Sequence, residues 1–408
     1  MNTCPVLPSP PSNPDGRGRA ASRLRPGWIG LGVAMVAVGV LLGTAVRKAS
    51  RDRPLMELLD RMGEGTGDER RQARQELVSR HSAAAPVLVA VVRGAKTRWQ
   101  SEVMPWFEAV PGVGGLRSRS QARERHAIEA LQRMGPGVAP SVVVLLDEAR
   151  NGGRESAIAL LRTYGPGVVP LLQEQLVRGG VERRIGAAMA LGRFRVAEQG
   201  GLGALFQARR DQDARVRSAA VWALGEMQDS GADVVPELVA SLADASVEVQ
   251  GQAVQALRGF EAGAAPAVEG LRRLLREGTD ALRVEAALTL SVIGDAARVA
   301  RDDLRRLTEV DGIDVRRSAA AALVQLQEHP ETGLSVLREL LGSPGVNTRA
   351  RTAEMVAGLG SRAEGLVPDL LRLLENADPG DDRPGVVALR QIAPESVPER
   401  FRRGRSGR

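Results

Sequence analysis

Residues able to do covalent or metal chemistry are sparse in this chain of 408 residues. Histidine occurs only at His81, His126 and His329, none spaced for joint ligation, and the single cysteine, Cys4, can build neither a zinc nor an iron–sulfur site nor an internal disulfide. The only lysines, Lys48 and Lys96, follow Arg47 and Ala95 rather than the glycine of a phosphate loop, and the GxGxxG, GxSxG and HExxH patterns are absent. The expectation is a chain without catalytic activity, bound metal or cofactor.

Arginine is the abundant chemical resource. Arg154, Arg184, Arg217, Arg283, Arg316 and Arg349 recur at one place in a repeating pattern. Guanidinium forks bind phosphate or carboxylate, or bridge backbone carbonyls, and so fixed a recurrence favours a structural ladder between adjacent turns. A second set, Arg272, Arg273 and Arg276 followed by Arg301, Arg305 and Arg306, is a candidate partner-binding stripe. Interleaved Glu269, Glu277, Asp302, Asp303 and Glu309, and the lack of an aromatic stacking platform, favour a solvated mixed-charge face over a nucleic-acid rail.

The elements that must position these arginines are helices in a regular series. Stepping by 33 from Leu224 reaches Leu257, Leu290, Leu323, Val356 and Leu389; stepping back reaches Leu191, then Leu161 and Leu131 at intervals of 30. Four residues before each marker stand Ala127, Ala157, Ala187, Ala220, Ala253, Ala286 and Ala319, and the recurrent arginines lie seven before. Positions seven, four, three and zero share one helical face, where alanine lets a neighbouring helix approach closely. Breaks such as Gly135-Pro136-Gly137 and Gly165-Pro166-Gly167 end the marker helix, glycine suiting a left-handed cap and proline forbidding continuation. Second apolar-periodic runs follow, among them 168–177, 234–242 and 366–374, so each unit is a helix pair. Asp213, Asp244, Asp280 and Asp314 fall in the turns between units, where each is expected to cap the next helix.

The string Asp213-Ala214-Arg215-Val216-Arg217-Ser218-Ala219-Ala220-Val221-Trp222-Ala223-Leu224-Gly225 resembles the first helix of a HEAT repeat, of the short bacterial type also found in phycobilisome lyases. The pattern recurs weakly at 282–290 and 315–323, and the resemblance covers about 121–377 as eight units. It implies an all-α, armadillo-like fold: a right-handed α-solenoid of about eight to nine helix pairs whose second helices line a concave surface and hold other proteins. Two rival functions come with the same resemblance. One is a lyase-like attachment of a chromophore or cofactor, for which no catalytic residue can be carried over. The other is DNA binding of the HEAT-like glycosylase kind.

Outside the repeats, residues 28–46 run from Trp28 to Val46 without a charge, enough at about 1.5 Å per residue to span a bilayer as a transmembrane helix. Residues 1–27 form a Pro- and Arg-rich leader with no means of burying a core, and 47–54 a basic linker. The length of the apolar run favours an anchor over a cleaved signal ending near Gly43-Thr44-Ala45, and implies a single-pass protein of the bacterial inner membrane. Basic residues on both flanks leave the orientation open, and Gly39-xxx-Gly43 offers a route to a homodimer through the anchor. The net charge of +7 sits at the ends: residues 1–54 carry +6 and the tail 399–408 carries +4, which leaves −3 on the body and argues against nucleic acid.

Residues 55–120 read as a divergent helical repeat with an insertion bearing Trp99, Trp106 and Phe107, and 121–398 as the solenoid. The three rings either fold over the open end of the stack or anchor a docking partner. The reading as a whole is a membrane-anchored scaffold whose partner is a protein.

Overall fold

A computed structural model of the chain describes residues 52–94, 113–148, 152–195, 200–310, 312–375 and 383–402. Among them every regular element is helical, with no strand. The apolar run 28–46, the leader, the aromatic trio Trp99, Trp106 and Phe107, and residues 403–408 of the tail all lie outside the described residues. No helix among the described residues is long and apolar enough to cross a membrane.

The chain divides between Leu58 and Leu59 into two units. Of the first, the described residues 52–58 are helical and open α1 (residues 52–64), where Arg53 Nε donates to Glu57 Oε1 at 3.1 Å. The second unit contains everything else. Its first complete helix is α2 (Gly67–Ser79), started by a reciprocal cap: Glu69 N donates to Thr66 Oγ1 and Thr66 N donates to Glu69 Oε2 at 2.7 Å. Next come α3 (His81–Gly94) and α4 (Val113–Met134). The boundary expected at residue 120 falls inside α4, because no glycine or proline interrupts the chain between Gly115 and Gly135.

From there helices alternate. The first helices are α4, α6 (Gly153–Thr163), α8 (Val181–Phe194), α10 (Ala214–Gly225), α12 (Val247–Arg258), α14 (Asp280–Ile293), α16 (Ile313–Leu326), α18 (Val346–Gly358) and α20 (Arg383–Ile392). Between them lie the second helices α5 (Ala139–Val142), α7 (Val169–Arg178), α9 (Leu202–Ala208), α11 (Gly231–Ser241), α13 (Val268–Glu277), α15 (Arg301–Leu307), α17 (Pro330–Leu341) and α19 (Val367–Glu375). A final turn, α21 (Glu399–Arg402), follows. Each first helix packs on the first helix of the next unit, as α8 on α10, α10 on α12 and α12 on α14, and on the second helix of the preceding unit, as α8 on α7 and α14 on α13; α10 and α16 also meet their own second helices, α11 and α17. Second helices meet in turn, α13 on α15 and α17 on α19.

The core runs along the first helices. Leu131, Leu161, Leu191, Leu224, Leu257, Leu290, Leu323, Val356 and Leu389 are all 0% exposed, as are Ala127, Ala157, Ala187, Ala220, Ala253, Ala286 and Ala319. Small side chains bring the backbones together. A Cβ on Gly192 would sit 2.7 Å from Ala223 Cα, and one on Gly225 would sit 2.7 Å from Ala256 Cβ, the same contact repeated one unit on.

Two local expectations need correction. Gly135 and Gly165 have φ of 73° and 76°, but with ψ of −164° and −171°. This is the positive-φ extended region, open in practice only to glycine, rather than a left-handed helical cap. Proline then opens a short 3₁₀ turn, Pro136–Val138 or Pro166–Val168, that leads into the second helix. Of the four turn aspartates only Asp213 is an N-cap, its carboxylate accepting from Arg215 N at 2.9 Å. Thr279 caps α14, so Asp280 is the first residue inside the helix, and Asp314 lies inside α16 and pairs with Arg317. Asp244 sits two residues before the N-cap Ser246, whose N–H it accepts at 2.8 Å.

Leu224→Asp places an unpaired carboxylate at a fully buried position and is expected to cost several kcal/mol. Gly192→Val forces α8 away from α10 and should cost about 1–3 kcal/mol by overpacking. Thermal melts of the two variants check both expectations; melting like the parent would place these residues outside the core.

Candidate functional site

The recurrent arginines stand in the first or second turn of the first helices. A second helix that ends at a turn leaves carbonyls without intrahelical partners, and the long guanidinium stem reaches back to them. Arg154 Nε donates to the Leu146 carbonyl at 2.9 Å, Arg184 Nη1 to Gly179 at 3.0 Å, and Arg217 Nη1 to Asp211 at 3.0 Å. Arg283 reaches the Arg276 carbonyl at 3.2 Å, Arg316 that of Thr308 at 3.1 Å, and Arg349 those of Ser343 and Pro344 at 2.9 Å. In the unit that lacks the arginine, Gln250 Nε2 makes the equivalent bond to the Asp244 carbonyl at 2.8 Å.

Three of these side chains, Arg154, Arg184 and Arg217, also hold a carboxylate on or just before the next first helix. Arg154 donates to Glu182 at 2.8 Å and Arg184 to Asp211 at 3.0 Å. Arg217 grips Asp244 in bidentate fashion, Nε and Nη2 each at 2.8 Å. Glu182 is shared, since its second oxygen accepts from Arg215 at 2.9 Å and thereby ties α6, α8 and α10 together. The Arg217 guanidinium holds the Asp244 carboxyl below its ordinary range; burial opposes this and the Ser246 N–H assists it.

The stripe on the second helices is an ion-pair lattice. Asp303 on α15, its side chain 1% exposed, accepts from Arg272 Nε at 2.7 Å and Arg276 Nη1 at 3.1 Å, and also from Arg306. Glu269 takes the outer nitrogens of Arg272 at 2.9 Å and Arg276 at 3.3 Å, while Arg273 donates to the Leu242 carbonyl at 3.2 Å. The three arginines that stood out as partner-binding candidates therefore spend donors on locking α13 to α15 and to the preceding unit. Two units on, Arg338 and Arg372 converge on Asp369 in the same way, at 3.0 and 2.9 Å. Asp303 stood out in the sequence only as one of the acids interleaved with the stripe and Asp369 not at all, although each has an arginine three residues on, the spacing of neighbours on one helical face. No group of three or more histidine, cysteine or acidic residues among the described residues could hold a metal ion.

A carboxyl held below its unfolded pKa stabilises the fold above that value, about 3.9, and ceases to do so as pH falls through the folded value. Arg217→Gln is expected to destabilise the protein by on the order of 1–3 kcal/mol at neutral pH. The gap between variant and parent should narrow below about pH 4 as Asp244 protonates in both. Melts across a pH series check this; a gap of constant size would assign the loss to packing.

Comparison with known proteins adds the fold type. The family described as HEAT repeats matches residues 181–258, which are α8 to α12. No curated protein sequence matches the chain. Among solved structures, the X-ray structure of YibA from Escherichia coli is 20% identical, with 66% of this chain and 96% of that chain covered at a TM-score of 0.50. Kap95p, whose binding induces the switch loops of RanGDP to adopt the GTP-bound conformation, is 13% identical over 84% of this chain and 53% of its own, also at 0.50. The CpcE–CpcF phycocyanin lyase complex from a Nostoc species is 23% identical over 55% and 86%, but its TM-score of 0.40 carries no argument for a lyase activity. At these identities the likeness is one of fold: residues 181–258 match the HEAT-repeat model and lie within a longer series of helix pairs.

Proposed function

We propose that the chain is a non-enzymatic scaffold, tethered to a membrane by residues 28–46, that holds a protein partner along its second helices as a right-handed solenoid would present them. The observation that carries this reading is a division of labour between the two sets of helices. On the first helices the same residue types recur at buried positions, leucine at the marker and alanine four before it, and they serve the stack. The exposed positions of the second helices vary more: steps of 33 from Glu269 give Asp302, Ser335 and Pro368, although Arg305 and Arg338 keep one type. A surface that varies along a constant frame suits recognition of one extended partner. Kap95p, which shares the fold type and binds RanGDP, supports the reading by analogy. The uncharged run 28–46 supports the tether.

Photo-crosslinking residues placed in cells at Glu269 and Arg305 on second helices, and at Gln255 and Glu354 on first helices, test the binding face. All four positions are exposed. The expected result is a discrete crosslinked protein from the first two sites and none from the others, with the chain recovered in the membrane fraction and released from it on deletion of 28–46. Equal crosslinking from both faces, or none from either, would contradict the binding reading; a deletion that stays with the membranes would contradict the tether.

A further inference from the structure

The links that join first helices to their second helices form an edge of the array, and one stretch of that edge is apolar. Between the start of α11 and the link after α12 lies a surface pocket of about 490 Å³ whose lining holds no charged side chain. Pro236 and Pro266 line it without a backbone N–H to offer, and Phe260 adds an aromatic ring. Glycines let its walls approach: a Cβ on Gly231 would come 3.2 Å from the Phe260 ring, and one on Gly259 would sit 2.7 Å from Gln228 Nε2. The Gln228 amide thus lies over Gly259, and among the described residues it has no hydrogen-bond partner. The apolar character runs on into the next unit. One period after Gly259 and Pro266 stand Val292 and Val299, 43% and 61% exposed. At about 8–10 Å per unit the strip covers two steps, roughly 16–20 Å, the length of about five or six extended residues.

Charge gives the strip a direction. Asp229, Asp233 and Glu261 each adjoin a lining residue in the chain, all three are exposed, and among the described residues their carboxylates have no ion-pair partner. The arginines beside them in the sequence are spent, Arg195 on Glu226 at 3.8 Å and Arg258 on Glu285. Residues 196–199, one period before 229–232, lie outside the described residues and include no cation. At the Val299 end the acids are balanced, since Arg298 pairs with Asp295 at 3.1 Å and Arg301 with Asp302 at 3.7 Å. The pocket end is therefore acidic and the far end neutral, an arrangement that repels an anionic bilayer. A polypeptide with lysine or arginine beside apolar residues complements it: its cations meet the free carboxylates, its apolar side chains cover the strip, and a peptide group matches the donor and acceptor of the Gln228 amide.

We infer that the edge from Gln228 to Val299 binds an extended segment of a protein partner, basic at the end over α11 and apolar along the rest. The inference goes beyond the scaffold reading and does not rest on it, because the surface is the edge of the links and not the face of the second helices.

The test uses the full chain in phosphatidylcholine nanodiscs, with empty discs as the blank, titrated into fluorescein-labelled hexapeptides and followed by anisotropy. The probes are Arg-Arg-Leu-Val-Leu-Val and its reverse, with Glu-Glu-Leu-Val-Leu-Val and Arg-Arg-Ser-Ser-Ser-Ser as controls. One of the two basic–apolar probes is expected to bind at least about fivefold more tightly than either control, and the tighter of the two fixes the direction of the segment. Ala232→Arg, at an exposed lining position, fills the pocket and adds a like charge, and should lower that affinity about fivefold or more. Gln132→Arg adds the same charge on α4, far from the strip, and should leave it unchanged. Should Ala232→Arg fail to fold, Val299→Ser makes the comparison and is expected to lose affinity in the same direction. Absence of binding by the parent, a control peptide that binds as tightly, or equal affinities in parent and strip variant would overturn the inference. So would dimerisation seen by light scattering, or retention on phosphatidylglycerol vesicles, that the strip variant abolishes while no peptide binds, since the edge would then belong to a second copy or to lipid.

Discussion

The structure depends on how closely successive first helices can approach. That approach is set by side chains that are missing: Gly192 lies against Ala223 and Gly225 against Ala256, with no room for a Cβ at either glycine. At the next interface the corresponding residue is Arg258, which reaches across to Glu285 and to Thr289 Oγ1 at 3.4 Å. The same joint is thus made in two ways, by direct backbone contact or by a long side chain laid over it. Interdigitated small residues keep the leucine markers out of water, and burial of those markers along one continuous seam is the principal stabilising term of such an array.

The arginine ladder is a consequence of that geometry. Once helix pairs stack, the end of every second helix comes to lie beside the start of the following first helix, and its last carbonyls need donors. An arginine seven residues before the marker supplies them and has a nitrogen left for a carboxylate of the following unit. Arg154 and Arg217 therefore bond both to the chain turn just behind them and across to the unit ahead. The ion pairs on the second helices work alongside this, with Asp303 and Asp369 drawing arginines from adjacent helices onto buried oxygens. A buried carboxylate so supplied with donors fixes register between neighbours, and losing one partner would leave an uncompensated charge.

Much of the frame was legible in the sequence, since leucine, alanine and arginine at a constant interval report one helical face met again and again. Cap chemistry was less so. Asp213, Asp244, Asp280 and Asp314 occupy nearly equivalent places in the numbering, yet a shift of one or two residues in where the helix starts gives capping to Asp213 and Thr279 and sends the other carboxylates to arginines. The glycine breaks were readable as breaks but not as the extended positive-φ turn that feeds a 3₁₀ start, because ψ at such a glycine depends on where the second helix must go. The arginine stripe read as a charged surface, and its meaning changed only once Asp303 was seen enclosed between α13 and α15, a contact set by packing across units.

The central claim is that equivalent positions advance along one axis by one helix spacing per unit. Val247, Ile313 and Val346 each open a first helix and are 52%, 44% and 45% exposed, so after replacement of Cys4 by serine they accept paired spin labels without touching the core. Pulsed electron–electron distance measurements should find separations that rise by about 8–10 Å per unit, smallest for 313 with 346, intermediate for 247 with 313 and largest for 247 with 346. A 247–346 separation no greater than that of 313 with 346 would contradict the stacked array on which the rest of the account is built.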